Sequence, residues 1–390
     1  MARFESSGHF RFPHHTFSAD ELRGSVSQIP SVDAVAVLEP TKTDFVPLAK
    51  QLREADVRHI LLIHGTFAGG DITGFVREVK RFSPVKASRI DEISKAWFDE
   101  LAGDVGNYTD AFAKQLSGLI NSEDTPAIKV ERFGWSGENH HLGRVDGAIS
   151  LLGKISSMDP GGRLLVMAHS HGGNLLAMLS QIVGSPYEAK ESFFQRTRLH
   201  YHSPLRSKVD LQEWKHAREI LLDGHNAKRE IDIATFGTPL RYRWNDMIVP
   251  RLLHFIHHRS CHIDDPRKAV IPRSAGDVLT AAGGDYVQHL AIAGTDFIPS
   301  IFAWRDVVVE RRLHRMFEST TRRRDLFRKL KQGRRESCDG KTLLVDYPAT
   351  PGREQQKLFG HGVYTAPGWL HFHLDMICKQ FYARTENVKG

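Results

Sequence analysis

One stretch, RLLVMAHSHGGNLLAM at 163–178, constrains the fold more than any other. Leu164 to Ala168 run apolar without alternation, as in a strand buried on both faces. His-Ser-His-Gly-Gly follows, and apolar residues then resume, which predicts a helix over 173–184. A buried strand that turns within a few residues into a buried helix belongs to a parallel sheet crossed by helices.

Other segments repeat the pattern. VRHILLIHGTFAGG (57–70), AIKVERFGWSG (127–137), GRLLVMAHS (162–170) and EIDIATFGTPL (230–240) read as strands. Further strands are expected within SVDAVAVLEP (31–40), YVQHLAIAGTDF (286–297) and KTLLVDYP (341–348). In the segment 93–122, Tyr108, Phe112, Leu116 and Leu119 keep helical spacing. The expectation is an α/β fold, a mostly parallel central sheet flanked by helices. A chain of 390 residues accommodates this as one domain with insertions. We expect 1–55 as an N-terminal segment packed on the core and 56–390 as the domain. Polar, aromatic 185–229 and basic 297–340 would be helical insertions, the first a lid candidate.

Charge narrows the partners. The net charge is +7, but residues 305–336 alone hold 12 Lys or Arg against 5 Asp or Glu. The remainder is balanced, which argues against a general nucleic-acid binder. The segment 311–336 sets Leu313, Met316, Leu326, Phe327 and Leu330 among arginines, a pattern that fits either a solvated cap helix or peripheral contact with an anionic membrane. No apolar run reaches the roughly 18–20 residues of a bilayer span, and MARFESSGHFRFPHHTF has no signal-like apolar core. Cys261, Cys338 and Cys378 are scattered and odd in number. These features lead to an expectation of a cytoplasmic location, with signal-less export left open.

Ser170 stands at the turn itself. A serine nucleophile needs exposure, a base and donors for an oxyanion. Ala168-His-Ser-His-Gly172 is the small-x-Ser-x-small pattern of a strand-to-helix nucleophile turn. The strand ending His64-Gly65 would bring the Thr66 N–H alongside that of His171 as two oxyanion donors. The loop lacks the Gly-Lys-Ser/Thr ending of a phosphate loop. His361, Gly-flanked after the last expected strand, is the favoured base over His371 and His373, which read as helix packing. The acid should follow a strand and precede the base. Asp296 fits best, with Asp346 and Asp277 as alternatives. His169 is expected to pack under the turn. The histidines at 139–141 and 257–262 lack the spacing of a zinc site, so no metal is assigned.

On HGTF (64–67), AHSHGG (168–173), FGTP (236–239) and GHGVY (360–364), the chain resembles serine lipases and esterases of the α/β-hydrolase fold. The resemblance implies Ser170 as nucleophile, His361 as general base and acid, and Asp296 as the orienting carboxylate. It also implies oxyanion donors at Thr66 and His171, no cofactor, and a small-molecule or lipid ester as substrate. Ala168 departs from the usual first glycine. The alternatives are a phospholipase working on anionic lipid surfaces and an inactive hydrolase-like binding protein.

Overall fold

The structure is a computed structural model. It describes residues 3–4, 10–12, 24–65, 107–202, 211–223, 229–260, 267–268, 272–292, 304–317, 335–348 and 359–383. Its centre is a seven-stranded sheet: β1 (Ser25–Ile29), β2 (Val57–Ile63), β3 (Lys129–Phe133), β4 (Arg163–His169), β5 (Ile231–Phe236), β6 (Arg251–His257) and β7 (Lys341–Val345). The order is β1-β7-β6-β5-β4-β2-β3, and every neighbouring pair is parallel.

The unalternating strands are explained by two cores. Leu164, Val166 and Ala168 of β4 enter one core and Leu165 and Met167 the other. The first core is covered by α3 (His141–Ser157), α4 (His171–Val183), α5 (Tyr187–Tyr201), α6 (Gln212–Leu222) and α9 (Trp304–Phe317). The second lies under α1 (Lys42–Glu54), α2 (Asp110–Ile120) and α10 (Leu370–Phe381). Each fully buried Leu, Val or Met contributes roughly 1.5–3 kcal/mol, so a strand with two apolar faces is fixed in place by both layers.

Chain order positions the site. From β2 the chain moves outward to β3, then crosses back to place β4 on the other side of β2. The winding reverses there, which opens a crevice between the carboxyl ends of β2 and β4. Gly65 and Ser170 follow those two ends.

Several expectations are revised. Residues 286–297 do not begin a strand: Tyr286–Ile292 is a helix, α8, preceded by the short α7 (Ala275–Leu279). The strand expected at 31–40 is instead β1, just upstream, and Val32 and Val35 are exposed. Because β1 pairs with β7, the chain before residue 56 supplies part of the sheet itself. Strand β6, RLLHFIH, was not anticipated. The described part of 185–229 is built into the helical layer. Phe193, Phe194 and Trp214 are buried there, with Trp214 stacked on Tyr201. Of 297–340, α9 and residues 335–340 are described. Among the described residues, no helix is long and apolar enough to cross a membrane.

Candidate active site

Ser170 has φ +52° and ψ −130°. A residue with a Cβ rarely enters this region, and holding it there costs on the order of 1–3 kcal/mol. Backbone bonds offset that cost. The Ser170 N–H donates to Phe236 O at 2.8 Å. The Ser170 carbonyl accepts from the Thr238 hydroxyl at 2.8 Å and from the Gly173 N–H at 3.1 Å. The FGTP turn after β5 thus clamps the serine turn after β4.

Glycine is required where β2 meets this turn. A Cβ on Gly65 would lie 2.7 Å from Ser170 Cβ, and one on Gly172 would lie 2.7 Å from His64 O. His64 anchors the approach. Its Nε2 accepts from Trp135 N at 3.1 Å, so its Nδ1 carries the proton and donates to Gly65 O at 2.8 Å. Trp135 Nε1 donates to His64 O at 2.9 Å.

His361 follows two left-handed residues, Phe359 and Gly360. Its Nδ1 lies 2.7 Å from Asp285 Oδ2, and both side chains are nearly or fully buried. The same carboxylate accepts from Tyr364 Oη at 3.0 Å and, through Oδ1, from Gln288 N at 2.8 Å as the N-cap of α8. Tyr364 Oη in turn accepts from His257 N at 2.7 Å, and His257 Nδ1 donates to Gly360 O at 3.2 Å. Burial alone would raise the Asp285 pKa. The His361 charge and hydrogen bond, the Gln288 N–H and the Arg335 charge together bring it below the ordinary carboxylate range. Arg335 is itself fully buried and donates to His257 O at 2.7 Å, the oxygen that also accepts the Asp285 N–H at 2.9 Å.

The two halves meet at Gly237, between Phe236 and Thr238. A Cβ there would fall 2.8 Å from Asp285 Oδ2 and 2.9 Å from His361 Cε1. His169, next to the serine, lies with its ring centroid 4.5 Å from that of His361. Among the described residues, no hydrogen bond joins Ser170 Oγ to the His361 ring, whose only bond there is to Asp285. Catalytic contacts often tighten only when substrate is bound.

Ser170 and His361 are brought to one place. The carboxylate bonded to His361 is Asp285, which the sequence reading passed over. Asp296 lies outside the described residues, Asp346 pairs with Arg259 at 3.0 Å, and Asp277 accepts from Arg273 N at 2.8 Å beside the α7 N-cap. The signal for Asp285 was GGDYVQ, an N-cap aspartate with Gln three residues on; reading the next residues as a strand concealed it. Thr66 also lies outside the described residues. His171 is the first residue of α4, directly after Ser170, at the amino end of the helix. Its ring is held by Asn174 Nδ2 at 3.1 Å and Arg144 Nη1 at 3.5 Å. Burial, then the His361 charge, push the His169 pKa well below the ordinary range, so its ring stays neutral beneath the turn.

The competing histidines have structural partners. His373 bonds Tyr347 Oη at 2.8 Å, and burial pushes its pKa down to about 3. His371 Nε2 donates to Asp44 O at 3.2 Å. His140 caps α3 by accepting from Gly143 N at 2.9 Å, and His141 bonds Tyr242 at 2.7 Å. A groove of about 500 Å³ between α5 and α6, lined by Arg198, Tyr201, Lys215 and Arg218 among others, shares no residue with this site. No family model, curated protein or solved structure matches the chain.

Proposed function

We propose that the chain is a serine hydrolase that cleaves carboxylic esters through an acyl-enzyme, with Ser170, His361 and Asp285 as its triad. The observation that carries this reading is the serine held at φ +52° beside a buried His–Asp pair, at the switch point of a parallel sheet. A serine in an ordinary turn gains nothing from that strain, whereas a nucleophile gains a fixed, outward hydroxyl. The chain order Ser…Asp…His, with the serine after β4, the acid after β6 and the histidine after β7, supports the resemblance to α/β-hydrolases.

In this mechanism, Ser170 Oγ attacks the ester carbonyl carbon while His361 Nε2 takes its proton. Asp285 fixes the Nδ1–H tautomer and stabilises the imidazolium. The negative oxygen of the tetrahedral intermediate takes the His171 N–H, with Thr66 N–H as the second donor proposed from the sequence. The intermediate collapses and the C–O bond breaks. His361 gives the proton to the leaving alkoxide, leaving an ester on Ser170. Water, deprotonated by His361, then releases the acid and restores the serine. His171 contributes its backbone, because its ring is tied to Asn174 and Arg144.

Steady-state hydrolysis of p-nitrophenyl esters of rising chain length tests the reading. Native protein should show turnover that Ser170→Ala abolishes. No turnover at any chain length, or equal turnover by the alanine variant, would overturn it in favour of a non-catalytic binding protein.

A further inference from the structure

Charge on α9 is sorted by face. Its two acids turn inward: Asp306 is buried, 2.8 Å from His200 Nδ1, and Glu310 accepts from His141 N and Leu142 N at 3.1 and 2.7 Å. Val309, Leu313, Met316 and Phe317 fill the core beside them. Trp304, Val308, Arg311 and Arg315 fall at i, i+4, i+7 and i+11 and so line the opposite face. Trp304 is 61% exposed, Arg311 and Arg315 are exposed, and Arg305 lies 5.7 Å over the Trp304 ring.

A merely solvated helix mixes signs along its outer face, because Glu–Lys pairs at i, i+4 stabilise it. Here the outer face has arginine without acid, and a large aromatic stands at one end of the row. Arg196 of α5 joins the cluster: burial, then the charges of Arg312 and Arg315, push its pKa down. A row of like charges that ends in an exposed tryptophan fits a surface that is anionic at headgroup level and apolar beneath. A nucleic acid would match the charge but gives no role to Val308 in the row.

The helix also adjoins the site. Glu310 holds the amino end of α3, where Arg144, one turn on, touches the His171 ring beside Ser170. That end of α3 follows β3 at the carboxyl edge of the sheet.

We propose that the outward face of α9 docks the protein on an anionic phospholipid bilayer and so presents the serine site to ester lipids there. The purpose rests on the hydrolase reading, whereas the docking requires no catalysis and can be measured alone.

The test is co-sedimentation of the full chain with phosphatidylcholine vesicles, with and without phosphatidylglycerol, across a salt series. Binding is expected only with phosphatidylglycerol and should weaken as salt rises. Arg311→Gln/Arg315→Gln should weaken it by at least about tenfold. Both residues lie outside the catalytic machinery, so turnover of a soluble short-chain ester should be unchanged, which also shows that the variant folds. Trp304→Ser should remove the tryptophan fluorescence change on vesicle addition. Equal binding to both vesicle types, binding indifferent to the double variant, or displacement from vesicles by single-stranded DNA would each overturn the proposal. Vesicle binding without ester turnover would leave docking standing and remove the hydrolase reading.

Discussion

Two buried histidine–aspartate pairs in this molecule look alike until the far side of each ring is compared. His361 Nδ1 lies 2.7 Å from Asp285, and His200 Nδ1 lies 2.8 Å from Asp306. The second ring is closed on both sides: its Nε2 is 3.3 Å from Asp146, which also accepts from Trp214 Nε1 at 2.7 Å. His200 therefore joins α5 to α3 and α9, as a charged strut inside the helical layer. Among the described residues, His361 has no second carboxylate, and it stands on a left-handed loop against Gly237 and His169, next to a strained serine. A His–Asp contact alone identifies nothing; the group offered to the distal nitrogen decides whether the pair supports structure or moves protons.

The largest expected effect separates the two pairs by activity. His361→Ala or Asp285→Asn should cut kcat by about 10⁴-fold with a native-like fold, measured as ester turnover alongside circular dichroism. His200→Ala should leave turnover per folded molecule nearly unchanged. Loss of turnover in both variants, in folded protein, would erase the distinction.

The next effect lies at the β2 approach. Gly65→Ala would force a Cβ to within 2.7 Å of Ser170 Cβ. We expect a loss of roughly 10²-fold in kcat/KM, the scale of an ångström-sized misplacement, with little change in Tm.

Stability should show the reverse pattern. His200→Ala removes one partner from a buried charged cluster and should cost about 3–5 kcal/mol in denaturant unfolding. The sign of the pH dependence follows from the shifts. Burial opposes the charged form of His200, but Asp306 and Asp146 win and raise its pKa. Its contribution is complete below the ordinary histidine range and is lost as pH rises through the raised value. Asp285, with its pKa lowered, contributes above the ordinary carboxylate range and loses that contribution as pH falls through its folded value. His200→Gln should therefore flatten part of the alkaline decline in Tm and leave the acid limb in place.

The smallest expected effect concerns Arg335. Arg335→Met removes a cation that favours the ionised Asp285, so the acid limb of the kcat/KM profile should move to higher pH. A profile that drops in height without moving would make Arg335 purely structural.

The sequence made the sheet legible because its central strands are apolar on both faces, and LLVMA, LLI and IATF admit few other readings. The serine turn was legible because close approach leaves room only for glycine at 65 and 172. The acid was not. A short apolar run such as YVQHLAI serves a helix or a strand equally well, and only the hydrogen bond from Gln288 N to Asp285 reveals a cap. Strand β6 was hidden because His254 and His257 look polar, yet burial holds both neutral, at about 4 and about 3. The clamp from Thr238 to Ser170 O spans 68 residues, and no local pattern announces it.

The most direct measurement is the site and rate of fluorophosphonate labelling, read by peptide mass mapping on native protein, His361→Ala and His200→Ala. A single adduct is expected on Ser170 in native protein, nearly absent in His361→Ala and persisting in His200→Ala. Native protein that takes no label at Ser170, or labels there at the same rate without His361, would contradict it.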